Sequence, residues 1–216
     1  MLFWTKRIIF VLQQLLKKNT MAHQELTLGN KKLTILYDSE PQNPREWDNL
    51  GTFIDTQGNG DETDFIFKGG YGSRQEFIEK GIKEICKHFK DVGVIMPVHK
   101  YQHSGVSYST SYGYPYNCRW DSGTVGFIFA TKKEIRQNWG IKRVTEKYID
   151  YTQKILSDEI DTFSHWGNGD VFGFNIEENG EEIDSCYGFY GHNFVENGLI
   201  DYAGKEWLDV IKESGN

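Results

Sequence analysis

Cysteine is scarce in this chain, and its count is odd. Cys86, Cys118 and Cys186 form no Cys-x-x-Cys pair, so neither a disulfide framework nor a cysteine zinc site is supported. No apolar run reaches 18 residues, which excludes a membrane-spanning helix. Positive charge is also short, with 24 basic against 31 acidic residues and a net of −7. A general phosphate-backbone binder would carry the opposite balance. Gly-x-x-x-x-Gly-Lys and Gly-x-Ser-x-Gly are missing, so neither a phosphate loop nor a nucleophile elbow is in view. What the chain does have is 216 residues, 38% of them hydrophobic and 15% aromatic. That is enough for one sizeable core and far from a disordered composition.

The first twenty residues differ from the rest. They carry Lys6, Arg7, Lys17 and Lys18 and no acid, leaving 20 basic and 31 acidic residues over 21–216, a net of −11. Three readings stand. One is an upstream extension, outside the native fold, of a chain that starts at Met21. The second is a basic amphipathic arm, since Ile8, Leu12, Leu15 and Leu16 share a helical face. The third is a targeting segment, although the apolar stretch 8–12 is short and no small-residue cleavage site follows it.

Along 21–216, residues 32–38 read as a first strand, 39–51 as a polar loop with Pro41 and Pro44, and 55–64 as an acidic loop before a short strand at 65–68. Ser73 and Glu76 suggest a capping box for a helix whose stripe runs through Phe77, Ile78, Ile82, Ile85 and Phe89. Strands follow at 92–101, 105–112 and 124–130, then a helix capped by Thr131 and Glu134. A long helix is predicted over 145–163, with Ile149, Leu156 and Ile160 on one face. Asn179-Gly180 marks a hairpin between 170–176 and 182–190, and Ala203, Trp207, Val210 and Ile211 mark a terminal helix. Strands in hairpins with helices between them predict a single α+β domain over 21–216. Its sheet is expected to be mixed, mostly antiparallel, and packed by three or four helices.

Several groups are candidates for chemistry. Asp38, Glu40, Glu46 and Asp48 lie around Arg45 and Trp47 and are weak candidates for a divalent cation. The plainer expectation is that Arg45 pairs with one acid and Trp47 plugs the core, with no metal bound. Asp55 and Asp61 sit in the acidic loop, which starts like a calcium loop but has Ile66 where a glutamate is needed. His99 and His103 are four apart on a predicted strand, about 13 Å, too far to share a metal without a bend. His103 is therefore expected as a lone polar group in a turn or cleft. Trp120 and Asp121 precede a strand, and Asp184 lies two residues before Cys186, itself read as a small buried hydrophobe. No catalytic residue is assigned.

Four segments resemble a family of small phage and mobile-element proteins of bacteria: 36–53 with PREWDNLG, 98–110 with HSG, 118–136 with WDSGTVGF, and 169–191 with DSCYGFYG. Gln102 stands where that family often has aspartate, and Tyr187 where it often has tryptophan. The resemblance implies a cytoplasmic accessory protein in a bacterial host. Such a protein would need no cofactor and would bind and inhibit a host defence or regulatory machine, as an anti-CRISPR protein does. Its partner would be a protein with a basic surface, such as a nucleic-acid-binding effector, and nucleic acid itself would not be bound directly. Interaction candidates are then Asp38, Glu40, Arg45, Glu46, Trp47, Asp48, Asp55, Asp61, His103, Trp120, Asp121 and Asp184. Two rivals remain: a metal-dependent hydrolase or nuclease using the Asp38/Glu40/Glu46/Asp48 cluster, and a small-molecule or nucleotide-binding module.

Overall fold

The computed structural model describes residues 22–61, 65, 72–111, 114–116, 118 and 120–214. The 1–20 stretch, Ile66 and nearly all of the strand predicted over 65–68 lie outside the described residues. The described residues form five helices and two four-stranded antiparallel sheets, so the α+β class holds. By its internal contacts the chain divides into two compact units. Of the described residues, one unit joins those up to Gln42 with those from Gly169 onward, and the other takes those within 43–168, inserted between them in sequence.

The first unit holds β1 (Ala22–Leu28), β2 (Lys31–Tyr37), β7 (Val171–Glu178) and β8 (Glu181–Tyr190), in the order β1-β2-β7-β8. The second holds β3 (Thr52–Asp55), β4 (Val92–Gln102), β5 (Val106–Thr110) and β6 (Ser122–Thr131), in the order β3-β6-β4-β5. Its helices are α1 (Arg74–His88), α2 (Lys132–Trp139) and α3 (Glu146–Asn168). Helices α4 (Leu199–Ala203) and α5 (Leu208–Glu213) belong to the first unit.

In the first unit, Leu33 and Ile35 alternate inward and meet Phe172, Phe174 and Ile176 under Leu199, Ile200, Trp207 and Ile211. The terminal helix predicted from Ala203 to Ile211 is interrupted. Gly204, at φ +112°, breaks it into α4 and α5 with a 3-10 turn, Lys205–Trp207, between them. The Asn179-Gly180 hairpin forms as predicted: both residues have positive φ, +53° and +86°, as a type I′ turn demands. Strand β1 was not predicted, because Leu26 is its only buried residue and its alternation is too weak to read.

In the second unit the sheet is covered on both faces. Phe127 and Phe129 turn to one face and pack with Ile54 and with Phe77 and Ile85 of α1. Ile128 and Ala130 turn to the other and pack with Phe53 and with Leu156, Ile160 and Phe163 of α3. That explains the unbroken apolar run at 125–130, which a one-sided strand would not carry. Thr131 and Glu134 make the full capping box at α2, whereas at α1 Ser73 Oγ accepts from Glu76 N.

Candidate functional site

The candidates around Trp47 resolve into a structural clamp. Arg45 sits at the 3-10 turn Pro44–Glu46, its side chain only 4% exposed. Its guanidinium donates from Nε and Nη2 to the two oxygens of Asp61 (2.8 and 2.7 Å), from Nη1 to Glu159 on α3 (3.0 Å), and from Nη2 to the Gly51 carbonyl (2.6 Å). Glu159 also accepts from the Leu50 and Gly51 amides, and Asp61 from the Phe53 amide. Burial pushes the Glu159 carboxyl above its ordinary range, while Arg45 pulls against it. Arg45 and Asp61 are thus committed to holding the loop on α3. The plug expected at Trp47 is instead Arg45: Trp47 is 41% exposed.

The remaining acids separate. Asp38 Oδ1 accepts from the Glu40 amide of its own turn. Asp55 folds its loop back on itself, accepting from the amides of Gln57 and Asn59 and from Asn59 Nδ2. Glu40, Glu46 and Asp48 are exposed, and so is Asp184 on β8. Among the described residues no three His, Cys, Asp or Glu side chains converge as a metal set, and the Asp38/Glu40/Glu46/Asp48 cluster forms none.

Three other candidates do come together. Strand β4 ends where β6 begins, with Lys100 opposite Gly123 and Tyr101 opposite Ser122. That junction forms an open cleft of about 390 Å³, lined by Thr56, Gln57, Lys100, Gln102 and residues 120–125. Trp120 stands at it with 93% of its surface exposed. Asp121 Oδ2 accepts from Cys118 Sγ at 3.3 Å and lies 3.4 Å from His103 Nδ1. Thiol and imidazole therefore face one carboxylate and not each other, which is not the arrangement in which a base activates a nucleophile. The acid facing His103 is thus Asp121, brought from another strand, and not a neighbour at position 102. Lys100 Nζ donates to Gln57 Oε1 at 2.9 Å and ties the acidic loop to the cleft.

His99, bonded to Thr124 of the cleft wall, is fully buried. The Ser111 carbonyl can only accept, so Nε2 carries the proton (2.8 Å), and Nδ1 accepts from the Thr124 hydroxyl (2.9 Å). Burial lowers the imidazole's affinity for a second proton, and Arg74 adds to the effect. Tyr114 packs edge-on against His99 and carries Arg74 on its face, 3.2 Å from guanidinium carbon to ring centroid. The Ser122 hydroxyl accepts from Tyr114 Oη and donates to the Cys118 carbonyl, which ties the segment beside Asp121 to β6.

Two groups could not be paired from the sequence. Glu159 is set in the buried stripe of α3, three residues after Leu156 and four before Phe163, but its partners lie in a loop more than a hundred residues away. In the first unit, His192 Nε2 meets Asp170 Oδ1 at 3.0 Å, and His23 bonds the Tyr37 hydroxyl at 3.2 Å with its ring 5.9 Å from that of His192. Burial lowers the His23 pKa, and the neighbouring His192 lowers it further.

Comparison with known proteins found no matching family model, no similar curated protein and no similar solved structure. Among the described residues no helix is long and apolar enough to cross a membrane.

Proposed function

We propose that this protein works by binding another protein, with Trp120 and the carboxylate of Asp121 as its anchor. The observation that carries this reading is Trp120. A 93% exposed indole beside a carboxylate and an open cleft offers a large apolar face, and tryptophan is a frequent energetic centre of interfaces. An arginine or lysine of the partner would lie over the indole face and reach Asp121. The net of −11 over 21–216 supports a basic partner surface, approached by electrostatic steering. The resemblance of four segments to phage proteins supports a host defence or regulatory machine as that partner, an effector of the CRISPR kind among them.

The test is recovery of the partner from host cells by wild-type and Trp120→Ala protein at low and high salt. Recovery by the wild type alone, and only at low salt, supports the reading. Equal recovery by both proteins removes it. The volume of the cleft favours one rival, a small-molecule or nucleotide site. Stabilisation by one member of a nucleotide panel, lost in Asp121→Asn, would establish that rival instead.

A further inference from the structure

We propose a second interaction surface, independent of the Trp120 cleft: the edge of β8 that no other described strand pairs, which accepts an extended basic segment of a partner as an added strand. An edge strand offers unpaired backbone N–H and C=O groups at every second residue. The other sheet closes its edges. Phe53 on β3 has both backbone groups taken by Asp61, and on β5 the amides of Val106 and Tyr108 donate to Asn168 and Ser164 of α3. β8 pairs only with β7 among the described residues and is exposed along almost its whole length.

Its geometry limits the docking length. The register with β7 skips Ile183 and Gly188, so the regular stretch is Asp184–Tyr187, between two bulges. Ile183 and Tyr187 are 52% and 46% exposed, apolar contacts that a purely protective edge would not display. Tyr187 lies against Gly173, where an added Cβ would come within 2.1 Å of its ring, so the ring is held in place rather than loose. Both faces of the edge are acidic: Asp184 shares a side with Cys186, and Glu182 shares one with Ser185 and Tyr187. This charge selects the occupant. A second copy of β8 would bring acid against acid, whereas a strand carrying lysine or arginine with apolar residues meets both the charge and the exposed Ile183 and Tyr187. The opposite edge, β1, offers no such selection, because Glu25 is paired with Lys32 at 3.0 Å.

The probe is a capped hexapeptide of alternating lysine and valine, offered to the full chain. Three controls go with it: the same peptide N-methylated at alternate residues, a glutamate–valine peptide, and the Trp120→Ala protein. Hydrogen exchange should show added protection at amides 183–188. Binding should weaken as salt rises, fall at least tenfold in Glu182→Lys/Asp184→Lys, and be lost on N-methylation while persisting in Trp120→Ala. Equal binding of the N-methylated peptide would overturn strand addition, as would protection elsewhere or no binding at about 1 mM peptide. Self-association that protects the same amides without peptide would assign the edge to a second copy. The N-methyl comparison uses wild-type protein, so it decides the matter even if the charge reversal fails to fold.

Discussion

In the sheet of residues 43–168 the outer backbone is answered by side chains: Asp61 on β3, and Ser164 and Asn168 on β5. Both faces of that sheet lie under helices, and a buried arginine pins its leading loop. Among the described residues, the other sheet leaves β8 open along one side and marks it with Glu181, Glu182 and Asp184. The two units have the same number of strands and the same antiparallel pairing, so the difference lies in what their edges are for. A closed sheet serves as a rigid mount, and here it holds the cleft at Trp120 and Asp121. An open, singly charged edge keeps self-pairing away while remaining available to a strand of opposite charge.

The strongest way to break the closed unit is to remove its clamp. Arg45→Ala leaves Glu159 and Asp61, 11% and 20% exposed, with backbone amides alone as partners and no neighbouring positive charge among the described residues, and should cost about 3–5 kcal/mol in urea unfolding. A loss under about 1 kcal/mol would show that the loop is held by something other than Arg45. In the other unit, Gly180→Val forces a β-branched residue into a positive-φ position at the mouth of the β7–β8 hairpin. That should cost on the order of 1–2 kcal/mol. A neutral result would mean that the open edge does not depend on this turn.

Acid should weaken both units through one histidine each, His99 fully buried and His23 half-buried. His99 and His23 have folded pKa values below their ordinary 6.5, so the unfolded chain binds more protons than the native one. Their contribution is present above pH 6.5 and is lost as pH falls through the lowered folded values. Glu159, raised by burial, acts with the opposite sign: its contribution is present at low pH and is lost as pH rises through its folded value. Thermal melts from pH 7.5 downward should therefore show stability declining below about pH 6.5, and a flat profile would contradict the buried, neutral assignment of His99. Smallest of these effects, Trp47→Ala should cost well under the ~3–5 kcal/mol of a core tryptophan, because the ring is 41% exposed. A loss of that full size in urea unfolding would restore Trp47 as the plug.

The closed unit was readable wherever its physics is periodic. The run at 125–130, the Thr131–Glu134 cap and the stripe of α3 each follow from residue spacing, and so does the Asn179-Gly180 turn of the other sheet. What could not be read depends on distant partners. Arg45 and Trp47 stand two residues apart in one loop. The guanidinium is the buried member because Glu159, Asp61 and the Gly51 carbonyl accept from all three of its nitrogens. His103 was foreseen as a polar group in a turn, but its acid comes across the β4–β6 ladder. β1 escaped notice because an edge strand with one buried leucine has almost no pattern.

The most direct test of the account is Trp120→Ala, followed by both unfolding and partner binding. Trp120 is 93% exposed, so urea unfolding should shift by no more than about 0.5 kcal/mol. Affinity for the partner recovered by the wild type should fall by 2 kcal/mol or so, roughly thirtyfold, with the deficit largest at low salt. A variant that loses stability while binding as well as the wild type would contradict the assignment of Trp120 as the anchor.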